Sequence, residues 1–460
     1  MNSSDLTMTH EGGRNELLAF VDQGFYVGHR VTGQREVTQC TWVYEHPVDF
    51  DGIKRFHHNL GHGLLARRIE RSPLPFGRYR WVSDPGPPGI DIADRARPRA
   101  EVSDWVDERA RLPLDPEQGA AWHLGVLPLT DGSTAISLVV SHYLIDGIGF
   151  AVVVAEALMG KTRDLGYPPP HSRKRLRAIV QDVRQTVRDA PEMGRAIAVM
   201  TRQVAKQLRQ RDVAKSASLQ PISLIPNHCN DAFVVPCVTI QVSLEDWDAR
   251  AKALGANSNT LVAGLAAKLA EHLGRRRDGD GPITIQLPMS ERAEGDTRAV
   301  AVSFARFSLD PSGVTTDLRN VRDDIKQALA VWRATPDETS QLASLVPFTP
   351  KRMWKQGVDG ASADPDRPVI CSNLGDVGSL VCLLDGTPAE YMSGRGTRQH
   401  VTRQELERAG GQLYLLTMRV GNKMSINVSA YQPGAENTKS ALRDLAACTL
   451  IEFGLTGEID

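Results

Sequence analysis

An imidazole at His142 and a carboxylate at Asp146 stand four residues apart inside SLVVSHYLIDGIGF, one of the most apolar stretches of the chain. Leaving a neutral polar group without a partner in such surroundings costs about 2–7 kcal/mol. Each group therefore either finds a partner or serves chemistry. Histidine, with an ordinary pKa of about 6.5, can be neutral and ready to accept a proton at physiological pH. The chemistry that suits His142 is general-base catalysis, the removal of a proton from an attacking hydroxyl or amine. A satisfied core histidine beside a turn is the structural alternative.

The elements around these residues are legible. AAWHLGVLPL, a TDGS turn and TAISLVVSHY form a hairpin pattern in which Asp131-Gly132 can supply the turn geometry. FAVVVAEALM (150–159) reads as a buried helix starting just after Gly149. His142 thus sits at the end of a strand and Asp146 in the short turn leading into a helix. Upstream, TQCTWVYEHPV (38–48) is strand-like. Phe56, Leu60, Leu64, Leu65 and Ile69 then recur at helical spacing through FHHNLGHGLLARRIE.

Three consecutive prolines in LGYPPPHSRK (165–174) mark a linker. The segment 172–216 is helical in pattern and basic, with 12 Lys/Arg against 4 Asp/Glu, a local excess of +8. Leu176, Ile179, Val180, Val183 and Val187 form one stripe and Ile197, Val204 and Leu208 another, with Pro191 between. Beyond it, PCVTIQVSL, PITIQLPM and AVAVSFARFSL are strand-like, whereas SNTLVAGLAAKLAEHL and DLRNVRDDIKQALAVW are helical. GQLYLLTMRV-GN-KMSINVSAY is a hairpin pattern, and a closing helix runs from about Asn437 to Phe453. The expectation is an α+β chain of two halves joined by a basic helical crossover: residues 1–171, 172–220 and 221–460.

Composition bounds the rest. A chain of 460 residues is too long for one ordinary core. A formal net charge of −1 gives no support to a general nucleic-acid role. The N-terminal residues lack a basic start followed by an apolar run, so no secretory signal is expected. Six cysteines without a CxxC pair suggest a reduced cytoplasmic setting and no zinc cluster. His142, Asp146, Gly147 and Gly149 interrupt the apolar run 138–159, which argues against a membrane span there.

His142-Tyr143-Leu144-Ile145-Asp146-Gly147 matches the pattern HxxxDG. Here the sequence resembles the superfamily of chloramphenicol acetyltransferase, nonribosomal condensation domains, wax ester synthases with diacylglycerol acyltransferase activity, polyketide-associated acyltransferases and plant HxxxD acyltransferases. The entering strand, the departing helix, the position of the motif and the pair SNTLVAGLAAKLAEHL and ITIQLPMSER extend the resemblance over most of the chain. It implies an α+β fold of two chloramphenicol-acetyltransferase-like lobes, each a mixed sheet flanked by helices, with a tunnel between them. It also implies an acyltransferase that moves an acyl group from a thioester donor, acyl-CoA or an acyl carrier protein, to a hydroxyl. His142 would be the general base, with no covalent enzyme intermediate, no metal and no cofactor beyond the co-substrate, acyl-CoA or a phosphopantetheine-bound acyl group.

By the same resemblance Asp146 and Gly147 are structural, the carboxylate pointing away from the histidine and pairing with Arg292 of LPMSER. Such a pair would neutralise a buried charge. Ser372 and Asn373 in VICSNLGDVG resemble a motif bordering the tunnel, or are a plain Asn-containing turn, and Ser303 stands where relatives often have an asparagine. Many relatives carry a second histidine where this chain has Ser141, and the plant-type DFGWG sequence is absent. An amide-forming, condensation-like enzyme acting on carrier-bound substrates and a catalytically silent scaffold are the alternatives. No GxSxG elbow suggests a hydrolase.

Other features have plain readings. His58 and His62 in HHNLGH read as a solvated helix face without a carboxylate ligand motif, and Arg67, Arg68, Arg71, Arg78 and Arg80 as surface arginines. The basic crossover reads first as a solvated face. Its functional alternatives are an acidic acyl carrier protein or an anionic membrane surface, the latter suggested by membrane-associated wax ester synthases. The localisation expected is cytoplasmic, with peripheral membrane association open.

Overall fold

A computed structural model describes residues 16–211, 232–335, 341–350, 352–354, 364 and 366–460. In chain order the first part runs α1 (Phe20–Thr32), β1 (Arg35–Tyr44), α2 (Phe50–Leu60), β2 (Arg67–Glu70), β3 (Arg80–Ser83), β4 (Asp91–Ile92), α3 (Val102–Arg111), β5 (Trp122–Pro128), β6 (Thr134–Ser141), α4 (Gly147–Leu158) and α5 (Arg175–Arg211). Then follow β7 (Cys237–Ser243), α6 (Leu244–Ala253), α7 (Ser258–His272), β8 (Ile283–Ser290), β9 (Val302–Leu309) and α8 (Arg319–Ala334). The chain closes with β10 (Val369–Asp376), β11 (Tyr391–Gln399), α9 (Arg403–Arg408), β12 (Gln412–Val420), β13 (Lys423–Tyr431), α10 (Lys439–Glu452) and β14 (Glu458–Ile459).

Two mixed sheets flanked by helices carry the architecture. The first has the order β11-β1-β6-β5-β4, antiparallel except for β4 against β5. The second has the order β14-β7-β13-β12-β10-β8-β9, with β10 parallel to both of its neighbours. Each sheet has its own core, one around Trp42, Phe56, Leu60, Leu138 and Val140, the other around Ile240, Leu265, Ile285 and Val428. The two lobes are tied by β11. It lies at 391–399, within the C-terminal stretch, yet pairs along β1 from Arg35↔Gln399 to Val43↔Tyr391 and completes the first sheet.

The hairpin β5–β6 forms around Gly132, whose φ of +88° needs the freedom of glycine. Every residue of β6 is buried, because this strand lies inside a sheet covered on both faces. Two local readings differ from the structure. The helical spacing that reaches Ile69 breaks at Leu60: Gly63 adopts φ +64°, and Arg67–Glu70 pair with β3 as a strand. The basic crossover is one helix of 37 residues with Pro191 inside it, and its expected continuation to Ser216 lies outside the described residues.

Candidate active site

Strand β6 delivers the HxxxDG residues to the junction of the lobes, and the backbone there is held from three sides. The His142 amide donates to the Glu36 carbonyl at 2.9 Å, so the end of the motif strand is locked to the start of β1. Tyr143 tucks among Phe25, Tyr26 and His29 of α1, and its hydroxyl accepts from the Glu36 amide at 3.2 Å. Leu144 offers its carbonyl to Arg67 Nη2 at 2.8 Å. Ser141 is buried in the strand, opposite Val37.

The His142 ring is partly exposed, and its edge contacts Phe25 with the ring centroids 5.5 Å apart. Nδ1 is buried without a hydrogen-bond partner. Asp146 makes no use of this ring. Its Oδ1 accepts from the Gly149 amide at 2.8 Å, capping α4, and from Arg292 Nε at 3.2 Å. Its Oδ2 accepts from Arg292 Nη2 at 2.7 Å and from the Ala301 amide at 2.9 Å. Arg292 spends its remaining N–H groups on the carbonyls of Asp296, Arg298 and Ala299. The pair is deeply buried, with 6% and 2% of the two side chains exposed.

Gly147 lies close against the second lobe: a Cβ there would come within 2.8 Å of Leu374 Cδ2 on β10. Beside it opens a narrow cleft with about 400 Å³ of space free of protein atoms, part of it open to solvent. Thr38, Phe150 and Val154 from the first lobe meet Leu374, Met392 and Met418 there, so the lining is overwhelmingly apolar.

Of the remaining predicted residues, Ser372 faces the junction, because its neighbour Cys371 points into the second core. Tyr414 shares that face, hydrogen-bonds Ser372, and has its phenol pushed up to about 12, chiefly by burial. Asn373 points the opposite way and donates to Asn259 at the start of α7. Ser303 lies on the helix-covered face with Phe307 and Leu309 and accepts from the Trp332 indole at 2.9 Å. It is not brought to the junction, and Ser372 and Asn373 do not act as a pair. Both lie within β10, which continues past them to Asp376.

Several residues at the site have no motif to announce them. Arg67 is fully buried rather than on the surface. It stacks on Trp81 at 3.8 Å and bridges the Leu144 carbonyl to the Thr297 carbonyl, at 2.8 and 2.6 Å, across the lobes. Arg78 likewise stacks on Phe20. His58 and His62 lie with ring centroids 5.2 Å apart, and among the described residues no group of three or more His, Cys, Asp or Glu could hold a metal ion.

His29 and Glu36 form an ion pair at 3.1 Å beside the motif. Burial pushes His29 down, but the hydrogen bond and charge of Glu36 outweigh it and leave the imidazole above its ordinary value. Burial would raise Glu36, yet His29, with smaller contributions from His142 and Arg398, holds it down at about 2. His29 therefore stabilises the fold fully below about pH 6.5 and loses that contribution as pH rises through its raised value. Glu36 contributes above about pH 4.5 and loses that contribution as pH falls toward 2. A Glu36→Gln variant is expected to be less stable than the wild type by about 1–2 kcal/mol between pH 4.5 and 6.5, with the gap narrowing on both sides. Urea midpoints from pH 2 to 9 check this, and a gap that does not change with pH contradicts it.

No protein-family model matches the chain, and no curated protein does. Solved structures do. Polyketide synthase associated protein 5 from Mycobacterium tuberculosis superimposes with a TM-score of 0.51 at 16% identity, covering 95% of this chain and 98% of that one. The first condensation domain of the calcium-dependent antibiotic synthetase, in complex with a substrate analogue, gives 0.53 at 13%, covering 95% and 99%. The wax ester synthase/diacylglycerol acyltransferase from Marinobacter aquaeolei VT8 gives 0.52 at 14%, covering 95% and 98%. The chain shares the two-lobed condensation and acyltransferase fold of these neighbours along nearly its whole length.

Proposed function

We propose that this chain, which has the fold of condensation domains and of a wax ester synthase/diacylglycerol acyltransferase, transfers an acyl group from a thioester to a hydroxyl acceptor with His142 as general base. The observation that carries the reading is the setting of His142. Its backbone is locked, its ring is partly exposed, the motif that carries it meets the second lobe through Asp146 and Gly147, and the nearby carboxylate is fully engaged elsewhere.

The acceptor oxygen attacks the thioester carbonyl carbon while His142 Nε2 takes the hydroxyl proton. The tetrahedral intermediate collapses with cleavage of the carbon–sulfur bond, and the imidazolium returns the proton to the departing thiolate. Ester and free thiol result, and no bond forms to the protein. Acyl-CoA or a phosphopantetheine-bound acyl group is the donor, as co-substrate. Asp146, Gly147 and Arg292 hold the loop, whereas Ser372 and Tyr414 face the junction as hydrogen-bonding groups.

A free-thiol assay over a panel of acyl thioesters, with alcohols and amines as acceptors, tests this. Thiol release is expected to depend on an alcohol. Release without any acceptor would indicate hydrolysis, and dependence on amines alone would indicate an amide-forming enzyme of the condensation kind.

A further inference from the structure

Helix α5 is turned inside out. On its inner face Asp182, 3% exposed, is held by Ser72, Arg80 and Arg173, at 2.5, 3.4 and 2.8 Å. Asp189 approaches Arg78 at 3.6 Å. On the outer face Leu176, Val180, Val183 and Val187 form a stripe at steps of four, three and four, with Leu176 80% and Val187 68% exposed. Ile197 and Met200 extend exposed apolar surface toward the far end. From Leu176 to Met200 the helix is about 36 Å long. An amphipathic helix ordinarily buries its apolar stripe and exposes its charges, so this arrangement calls for something apolar outside.

Charge says what that is. Arg177, Arg184, Arg188, Arg195 and Arg202, spaced by seven, four, seven and seven residues, fall on one flank of the stripe. Of the three acids between 174 and 202, Asp182 and Asp189 face inward and only Glu192 is exposed. A second copy would bring the same arginine row with no acids to meet it, whereas a coiled-coil seam needs complementary charges beside its apolar positions. A small acidic protein would match the arginine row but not the apolar stripe beside it. An anionic bilayer matches both: it takes an apolar stripe at the acyl boundary and a basic row at the phosphates. No described helix is long and apolar enough to cross a membrane, so the contact lies on the surface.

We propose that the outer face of α5 docks on an anionic lipid surface, with the helix lying flat in the interface. The proposal is independent of the acyl-transfer reading, because its readout is binding. Full-length protein is sedimented with vesicles of phosphatidylcholine alone or containing roughly a third phosphatidylserine. Binding is expected to the anionic vesicles, weaker by about tenfold or more without the anionic lipid or at high salt. Leu176→Gln with Val183→Gln, and separately Arg184→Gln with Arg188→Gln and Arg195→Gln, are each expected to weaken it by about tenfold or more. These residues are exposed, so unfolding temperature and thiol release from a soluble thioester are expected to stay unchanged. Absence of vesicle binding overturns the proposal, as does equal binding to neutral vesicles. A dimer that Leu176→Gln with Val183→Gln dissociates, or saturable binding to an acidic acyl carrier protein without binding to vesicles, overturns it as well.

Discussion

Replacing His142 with alanine is expected to lower acceptor-dependent thiol release by about 10²–10⁴-fold, the usual worth of a positioned general base, while the protein stays folded. The substitution keeps the backbone amide that donates to the Glu36 carbonyl, so the loop keeps its attachment to β1. It removes a ring whose Nδ1 is buried without a partner and which, among the described residues, has its aromatic contact with Phe25. Stability is therefore expected to change by about 1 kcal/mol or less. The loss should fall on kcat rather than KM, because the proton is in motion only in the transition state. Single-turnover thiol release and a urea melt, taken on the same preparation, read both quantities. Full activity in a folded His142→Ala protein would remove the transferase reading.

The Asp146–Arg292 pair is expected to behave in the opposite way. All four contacts of Asp146 are with N–H donors: Gly149, Ala301 and two nitrogens of Arg292. In Asp146→Asn two of these donors must face an amide NH2, whichever oxygen it replaces, and Arg292 is left as a buried cation without its counter-charge. Arg292→Ala strips the carboxylate of two bonds and deprives the carbonyls of Asp296, Arg298 and Ala299 of their donor. Breaking one side of a buried pair costs about 3–5 kcal/mol, and each variant is expected to lose about that much in denaturant titration. The chemical step, measured per folded molecule, should fall much less than in His142→Ala. Normal stability together with abolished turnover in both variants would place these residues in the reaction instead.

What could be read in advance about the site was local. His142 and Asp146 were legible because a strand, a tight turn and a helix follow one another within about twenty residues, each with its own periodicity or turn chemistry. Glu36 and His29 were not, because neither belongs to a pattern. They matter only because β1 pairs with β6 and α1 packs over the motif loop. Arg67 gave no sign of burial either. It reads as one of several surface arginines, and only the turn at Gly63 and the pairing of β2 with β3 direct it into the junction.

The strand and helix that flank the motif, the two hairpins, the turn that separates imidazole from carboxylate and the basic character of α5 follow from residue types at short range. Their spacing and backbone preferences act within a few residues. Tertiary structure alone decided that residues 391–399 complete a sheet begun some 350 positions earlier. It also turned Ser303 and Asn373 toward helices rather than the junction, and left the apolar stripe of α5 outward. Which face of an element is buried is a property of the surface it meets, and that surface comes from chain segments far away in the sequence.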